Sequence, residues 1–280
     1  MGAVLALAAS ALWGSGDFLG GTLSRSAHPV AVMRATQAMA LVALLAIAAL
    51  AGELGATGYL VWGVAGGLAG TVALGSFYAA LAGGTMGVVA PIAATGAVVP
   101  VVAGLASGES PSVLQMVGIV VTVVGVILTS GPERGGDPAE RRRNLRPLLL
   151  AGVAGLGFGV TLVVVAEGAE HSVVMTLATM RAVNAVACTA ILGLVLRRAA
   201  HPTRRDLPSL ALIGATDAGA NGAYAIATHT ALVSVSAVLA SLYPAVTALL
   251  AWRFHHEHLR PVQVVGVVAT LGGVALMAGG

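Results

Sequence analysis

The residues with chemical capacity are few, and most stand alone in long apolar runs. Asp17 lies one helical turn beyond Trp13, in the apolar run that opens the chain. Its carboxylate could bind a cationic group or a proton, or serve as a structural acceptor. Asp217, Asn221 and Tyr224 recur at i, i+4 and i+7, so they share one stripe of a helix. Three polar groups on one stripe suit either a water-lined cavity or a helix–helix hydrogen-bond network. Arg34 and Arg181 each sit about five residues into an apolar run. Each could grip a carboxylate or phosphate, snorkel to an interface, or pair with an acid. Ionisable groups in such runs cost about 2.5–3.5 kcal/mol on insertion scales, so they are expected to face a cavity or a partner.

Other chemistries lack their signatures. No HExxH, GxSxG, P-loop or CxxC occurs, so neither metal-assisted hydrolysis nor ATP-driven work is expected of this chain. No cofactor or metal is expected. His255, His256, Glu257 and His258 are adjacent, and adjacent residues do not share a helix face, so they read as a solvated helix end. Cys188 is the single cysteine and reads as a small core residue that cannot form an internal disulfide.

The elements that must position these groups follow from composition. The chain is 58% hydrophobic and only 9% charged, with a mean hydropathy of +0.94. A soluble domain carries roughly 25% charged residues, so this chain reads as an integral membrane protein. All fourteen basic residues are Arg, and they sit mostly between apolar runs, which speaks against a nucleic-acid partner. A helix needs about 20 apolar residues to cross a bilayer. Turn and charge signals predict ten spans, at 3–23, 29–51, 58–82, 85–107, 111–131, 146–166, 172–196, 207–230, 233–254 and 260–279. The first run has no charged flank and reads as a span rather than a cleavable leader. The fold class expected is therefore an all-α membrane protein. The widest polar gap, PERGGDPAERRRN, falls after the fifth span. It divides the chain into a five-helix unit at 1–131, a charged linker at 132–145 and a second five-helix unit at 146–280.

The two units repeat each other. GESPSVLQMVGIVVTVVGVIL at 108–128 falls on HEHLRPVQVVGVVATLGGVAL at 256–276 with an offset of 148. Glu109, Gln115, Gly118, Thr122 and Gly125 then meet Glu257, Gln263, Gly266, Thr270 and Gly273. Trp13–Gly14 resembles Phe158–Gly159, Arg34 and Gln37 match Arg181 and Asn184, and Phe77–Tyr78 echoes Ala223–Tyr224. An odd number of spans per repeat makes the second copy enter the membrane from the opposite side. Inverted repeats are a mark of secondary transporters, with a site near the midplane.

These segments, with ALWGSGDF, APIAATGAVVP and SVLASLYPAVTALLAW, resemble the EamA family of the drug/metabolite transporter superfamily. The resemblance covers essentially the whole chain. It implies ten helices around a central cavity and movement of small organic solutes, with export of amino acids or related metabolites favoured. It also implies that Tyr78, Thr95, Tyr243 and Thr247 stand on cavity-lining spans. The candidate substrate-binding set is thus Trp13, Asp17, Tyr78, Thr95, Asp217, Asn221, Tyr224 and Tyr243, with Arg34 and Arg181 as an anion grip or as structure. Protons are candidate coupling partners through Asp17 or Asp217. HHEHLRP departs from the family's usual GERLSP-like segment and adds three His. The rival readings are an intramembrane enzyme acting on lipid-linked substrates and a non-transporting membrane interaction protein.

Orientation has two readings. Twelve Arg fall in or beside loops after odd-numbered spans, and none falls in loops after even-numbered ones. The positive-inside rule then puts both termini outside the cytoplasm of a bacterial inner membrane. The family pattern has both termini inside.

Overall fold

The computed structural model describes residues 2–106, 112–129, 138–230, 236, 239–240, 242–256 and 261–279. Every regular element among them is helical. The helices are α1 (Gly2–Leu23), α2 (Pro29–Ala51), α3 (Leu60–Gly83), α4 (Met86–Ala94), α5 (Val98–Ala106), α6 (Val113–Thr129), α7 (Pro138–Ala169), α8 (Val173–Leu194), α9 (Leu207–Thr230), α10 (Tyr243–His255) and α11 (Pro261–Gly279). Glu109, Glu257, His258, Ala231, Leu232 and residues 132–137 of the expected linker lie outside the described residues.

Local chemistry sets the ends. His28 Nδ1 accepts the Val30 N–H at 3.3 Å, and Pro29 opens α2 where its missing donor costs nothing. Gly52, at φ 72°, closes α2 in the left-handed conformation that a side chain would strain. Ser172 Oγ accepts the Met175 N–H at 3.1 Å and caps α8.

Two expected boundaries shift. The helix that holds the sixth span begins at Pro138, so α7 takes in the end of the expected linker, while its apolar run starts at Leu145, one residue before the expected 146; proline suits a first helical turn. The fourth span is one expected run but two helices, α4 and α5, joined by a 3₁₀ turn at Thr95–Ala97. Pro91 lacks the N–H that Gly87 would bond, which weakens the helix there. The offset of 148 carries Thr95 onto Tyr243, where α10 starts after a turn at Leu242, so both repeat-related spans break at one position.

Six helices among the described residues are long and apolar enough to cross a membrane: Val4–Leu23, Pro29–Ala51, Leu60–Gly83, Met86–Gly104, Leu145–Ala169 and Val173–Leu194. α9 has 24 residues and stays outside this set because its apolar run is interrupted by Asp217 and Asn221. Large apolar side chains such as Leu50, Val72, Leu149, Val186 and Val268 face outward, as a lipid solvent permits.

The helices pack as α1 with α9 and α10, α2 with α8, α3 with α7, α4 with α7 and α10, and α6 with α11. α2 and α8 run antiparallel. His28 N donates to Ala200 O at 2.8 Å at one end, and Ser172 Oγ donates to Glu53 Oε2 at 2.5 Å at the other. α3 and α7 also oppose: Gly58 meets His171, and Gly84 meets Pro147. α1 runs beside α10 in the same direction, with Gly14 against Val246 and Thr22 against His255.

Glycine spacing on α1 lets three helices close around it. A Cβ on Gly14 would fall 2.5 Å from Val246 Cβ, and one on Gly16 would fall 2.7 Å from Thr216 Oγ1. A Cβ on Gly20 would collide with the Tyr78 ring. Asp17 therefore stands on a helix that three others approach closely.

Candidate functional site

A cavity of about 80 Å³ opens between α1, α3, α7, α8, α9 and α10. Its lining is Trp13, Asp17, Gly70, Leu74, Phe158, Thr161, Leu162, Met180, Arg181, Asn184, Asp217, Asn221 and Tyr243. One water needs about 10–15 Å³ by this kind of measure, so there is room for several waters or a small solute.

One face of the cavity is a polar network. Arg181, 3% exposed, places Nη1 3.1 Å from Asp217 Oδ2. The same nitrogen donates to Gln37 Oε1 at 3.0 Å. Gln37 Nε2 donates to Asp217 Oδ2 at 3.1 Å. Asn221 Nδ2 donates to Asp217 Oδ1 at 3.0 Å and to the Asp217 carbonyl at 2.8 Å. Asn184 Nδ2 donates to Gln37 Oε1 at 3.1 Å, and Thr71 Oγ1 donates to Asn184 Oδ1 at 2.8 Å. Arg181, Gln37 and Asn221 thus satisfy the Asp217 carboxylate, while Asn184 and Thr71 brace Gln37 from α8 and α3.

Another part of the lining is aromatic, through Trp13, Phe158 and Tyr243. The Trp13 ring lies 6.1 Å from Tyr224 and 6.5 Å from Tyr243. Phe77 lies edge-on to Tyr243 at 6.3 Å and to Phe158 at 5.3 Å. Centroid separations of 4.5–7 Å are those of favourable aromatic pairs, so the wall is held rigid. Asp17 also lines the cavity, 8% exposed, with no hydrogen bond to a described residue. Both carboxylates, Asp17 and Asp217, line the same cavity.

Five of the eight expected binding residues line the cavity: Trp13, Asp17, Asp217, Asn221 and Tyr243. Three do not. Tyr224 stands behind Trp13 and donates its hydroxyl to Leu162 O at 3.4 Å. Tyr78 is buried against Gly20. Thr95 occupies the 3₁₀ turn and donates to Ile92 O at 2.7 Å. Thr247 likewise bonds Gly14 O and Tyr243 O, each at 3.2 Å. The two arginines part: Arg181 lines the cavity, whereas Arg34 is half-buried outside the lining. His255 does not form a solvated end with its neighbour. It lies 3.1 Å from Thr22 Oγ1 with its ring 5.0 Å from Phe18, while His256 is exposed.

Gln37, Thr71, Phe158 and Asn184 were not among the expected binding residues. The repeat carried a signal for three of them, since Gln37 matches Asn184 and Phe158 matches Trp13. Thr71 is a lone hydroxyl in an apolar run and carried none. The offset of 146 that pairs Tyr78 with Tyr224 carries Thr71 onto Asp217. Each of these two bonds the amide of the other half's second span, Thr71 to Asn184 and Asp217 to Gln37.

The comparisons bear on the whole chain. A solved crystal structure of another protein is similar, with a TM-score of 0.71, 17% identity and coverage of 98% of this chain and 95% of that one. That likeness shows the fold alone. No curated protein matches the sequence. The model of the EamA-like transporter family matches residues 1–131 and 145–279. With its apolar helices, the match makes this a multi-pass membrane protein. The chain belongs to the EamA-like transporter family.

Proposed function

We propose that the chain is a secondary transporter that exports small organic metabolites, amino acids or related solutes, by alternating access. The observation that carries this reading is the cavity where helices of both halves meet, with Asp17 in its lining and without a hydrogen bond to a described residue. A dry structural network would have no use for such a carboxylate beside a paired one. The cavity volume favours a small metabolite over a multi-ring drug, whose pockets run to about 300–1,000 Å³.

In this reading the units at 1–131 and 146–280 are inverted five-helix repeats, and the protein has ten membrane-spanning helices. The helix contacts support it. Exchanging the halves turns the α1–α9 contact into α7–α3 and the α1–α10 contact into α7–α4, and all four occur. α2 with α8 and α6 with α11 are then pairs about a pseudo-two-fold axis. Each half rocks against the other around the site. The solute's cationic group and a proton compete for Asp17, which couples outward solute flux to inward proton flux. The membrane is a bacterial inner membrane.

Counterflow in proteoliposomes over a panel of labelled metabolites tests this directly. Exchange of at least one small metabolite supports transport. Absence of exchange across the panel, from protein that binds one of its members, ends the transport reading.

A further inference from the structure

The turn between α8 and α9 carries four arginines, Arg197, Arg198, Arg204 and Arg205. Its one acid is already spent. Asp206 Oδ2 accepts the Thr203 N–H at 2.7 Å and the Thr203 hydroxyl at 2.8 Å. Arg197 donates Nε to Gly193 O at 2.9 Å, which leaves both its Nη groups for a ligand. Arg198, Arg204 and Arg205 are exposed and make no hydrogen bond or ion pair with a described residue. The turn is nonetheless held in shape. Ala200 O accepts the His28 N–H at 2.8 Å, Ala199 N–H donates to Leu196 O at 3.0 Å, and Thr203 forms a capping box with Asp206.

The same turn lies at the edge of the membrane. α8 has 22 residues, a rise of about 33 Å against a hydrocarbon core of about 30 Å. Leu194 and Val195 at its end are 73% and 75% exposed, and Leu207, where α9 begins, is 48% exposed. Outward-facing apolar side chains thus bracket the arginines along the chain and set them at the level of the lipid headgroups.

We infer that the α8–α9 turn is a binding site for anionic phospholipid, with the headgroup phosphate gripped by Arg197, Arg198, Arg204 and Arg205. A guanidinium matches a phosphate through two parallel N–H donors. Clusters of four or more basic residues just beyond a membrane helix attract anionic lipid. A turn already fixed by its own hydrogen bonds loses little freedom on binding, so the four groups act together. An acidic soluble protein would meet the same charge but not Leu194 and Val195, whose apolar surface belongs with acyl chains. Arg146 and Arg253 stand at the same end of the bundle but singly, on α7 and α10, and Arg253 already lies over the Phe254 ring at 5.4 Å. The site is separate from the central cavity and does not depend on the transport reading.

The test uses the full chain in a non-ionic detergent, titrated with phosphatidylglycerol or phosphatidylcholine. Native mass spectrometry counts the lipids retained, and the rise in Tm gives the affinity. Phosphatidylglycerol is expected to bind at least tenfold more tightly than phosphatidylcholine, and 0.5 M salt to weaken it. The triple variant Arg198→Gln, Arg204→Gln, Arg205→Gln touches no internal bond, so its lipid-free Tm should match the wild type. Its affinity for phosphatidylglycerol should fall at least tenfold, whereas the three Arg→Lys changes together should cost less than the three Arg→Gln changes. Two pairs remove equal charge from the same end: Arg204→Gln with Arg205→Gln should weaken binding at least threefold, and Arg146→Gln with Arg253→Gln less than twofold. The inference is overturned if the two lipids bind equally, if the triple variant keeps wild-type affinity, or if the Arg146 and Arg253 pair costs as much as the Arg204 and Arg205 pair. It is equally overturned if inorganic phosphate or a polyglutamate peptide displaces the lipid at the same concentration as lipid itself.

Discussion

Arg181 Nη1 stands 3.1 Å from Asp217 Oδ2 and donates to Gln37 Oε1 at 3.0 Å, so one nitrogen ties α8 to both α9 and α2. Arg181 is buried and Asp217 is partly buried, with side chains 3% and 15% exposed. Removing one partner of such a pair costs about 3–5 kcal/mol, chiefly because the other charge is left alone. Arg181→Met should therefore lower stability by that amount, and adding Asp217→Asn should recover part of it. Unfolding of both single variants and the double in one detergent closes the cycle. An additive result would remove the ion pair from the account of stability.

Asp17 and Asp217 should answer differently to amidation. Asp217 is held by three donors, so Asp217→Asn is expected to loosen the network and lower both stability and flux. Asp17 makes no such bonds, so Asp17→Asn should fold normally yet lose the pH dependence of flux. Flux measured from pH 5 to 8 discriminates them. Unchanged pH dependence in both variants takes the carboxylates out of coupling.

Gly14 and Gly152 form a control pair. A Cβ at Gly14 would fall 2.5 Å from Val246 Cβ and 2.6 Å from Tyr243 O, and a backbone carbonyl cannot turn aside. Gly14→Val is expected to cost at least about 1–3 kcal/mol, the usual range for overpacking. Gly152 meets nothing within 4 Å, so Gly152→Ala should be neutral or gain up to about 1 kcal/mol of helix propensity. Thermal unfolding in detergent checks both, and equal Tm values for the two variants would contradict the close approach of α1 and α10.

Orientation follows from the two ends of the α2–α8 pair. The Arg25 loop meets the Arg197–Arg198 loop through His28 and Ala200, whereas Glu53 meets Ser172 at the far end. The arginine end should be cytoplasmic, which puts both termini outside. A reporter fused after residue 280 decides it. Strong cytoplasmic fluorescence without periplasmic phosphatase activity would mean that the family pattern prevails over the charge count.

Asp206 gives a pH signature outside the membrane. Thr203 N–H and O–H both donate to its Oδ2, at 2.7 and 2.8 Å, and hold its carboxyl below the usual carboxylate range. A depressed carboxyl stabilises the fold fully above its unfolded value, about pH 4. The contribution disappears as pH falls through the lower folded value. The Tm difference between wild type and Asp206→Asn should be present at pH 6 and vanish at the acid end. A difference independent of pH would assign the effect to shape rather than charge.

Much of this protein is legible in one dimension. Span length and hydropathy alone mark the α2 run at 29–51 and the α8 run at 172–196, because crossing lipid requires a set number of apolar residues. The repeat is legible because offsets survive in the order of residues, and it singles out Gln37 with Asn184. The i, i+4, i+7 spacing puts Asp217 and Asn221 on one stripe, since helical periodicity is a local property. What decides the site is rotation of each helix about its own axis, and nearly all-apolar helices such as α3 do not write that rotation in their sequence. Tertiary packing alone turns Arg181 inward and leaves Arg34 outside, although their sequence positions are equivalent. It draws Thr71 to Asn184, pushes Tyr224 behind Trp13, and leaves Asp17 without a hydrogen bond to a described residue. These outcomes depend on which side chains meet across residues far apart in the chain, as with Gln37 and Asp217, and on glycines that let α1 approach α9 and α10 closely enough to bring those side chains within reach.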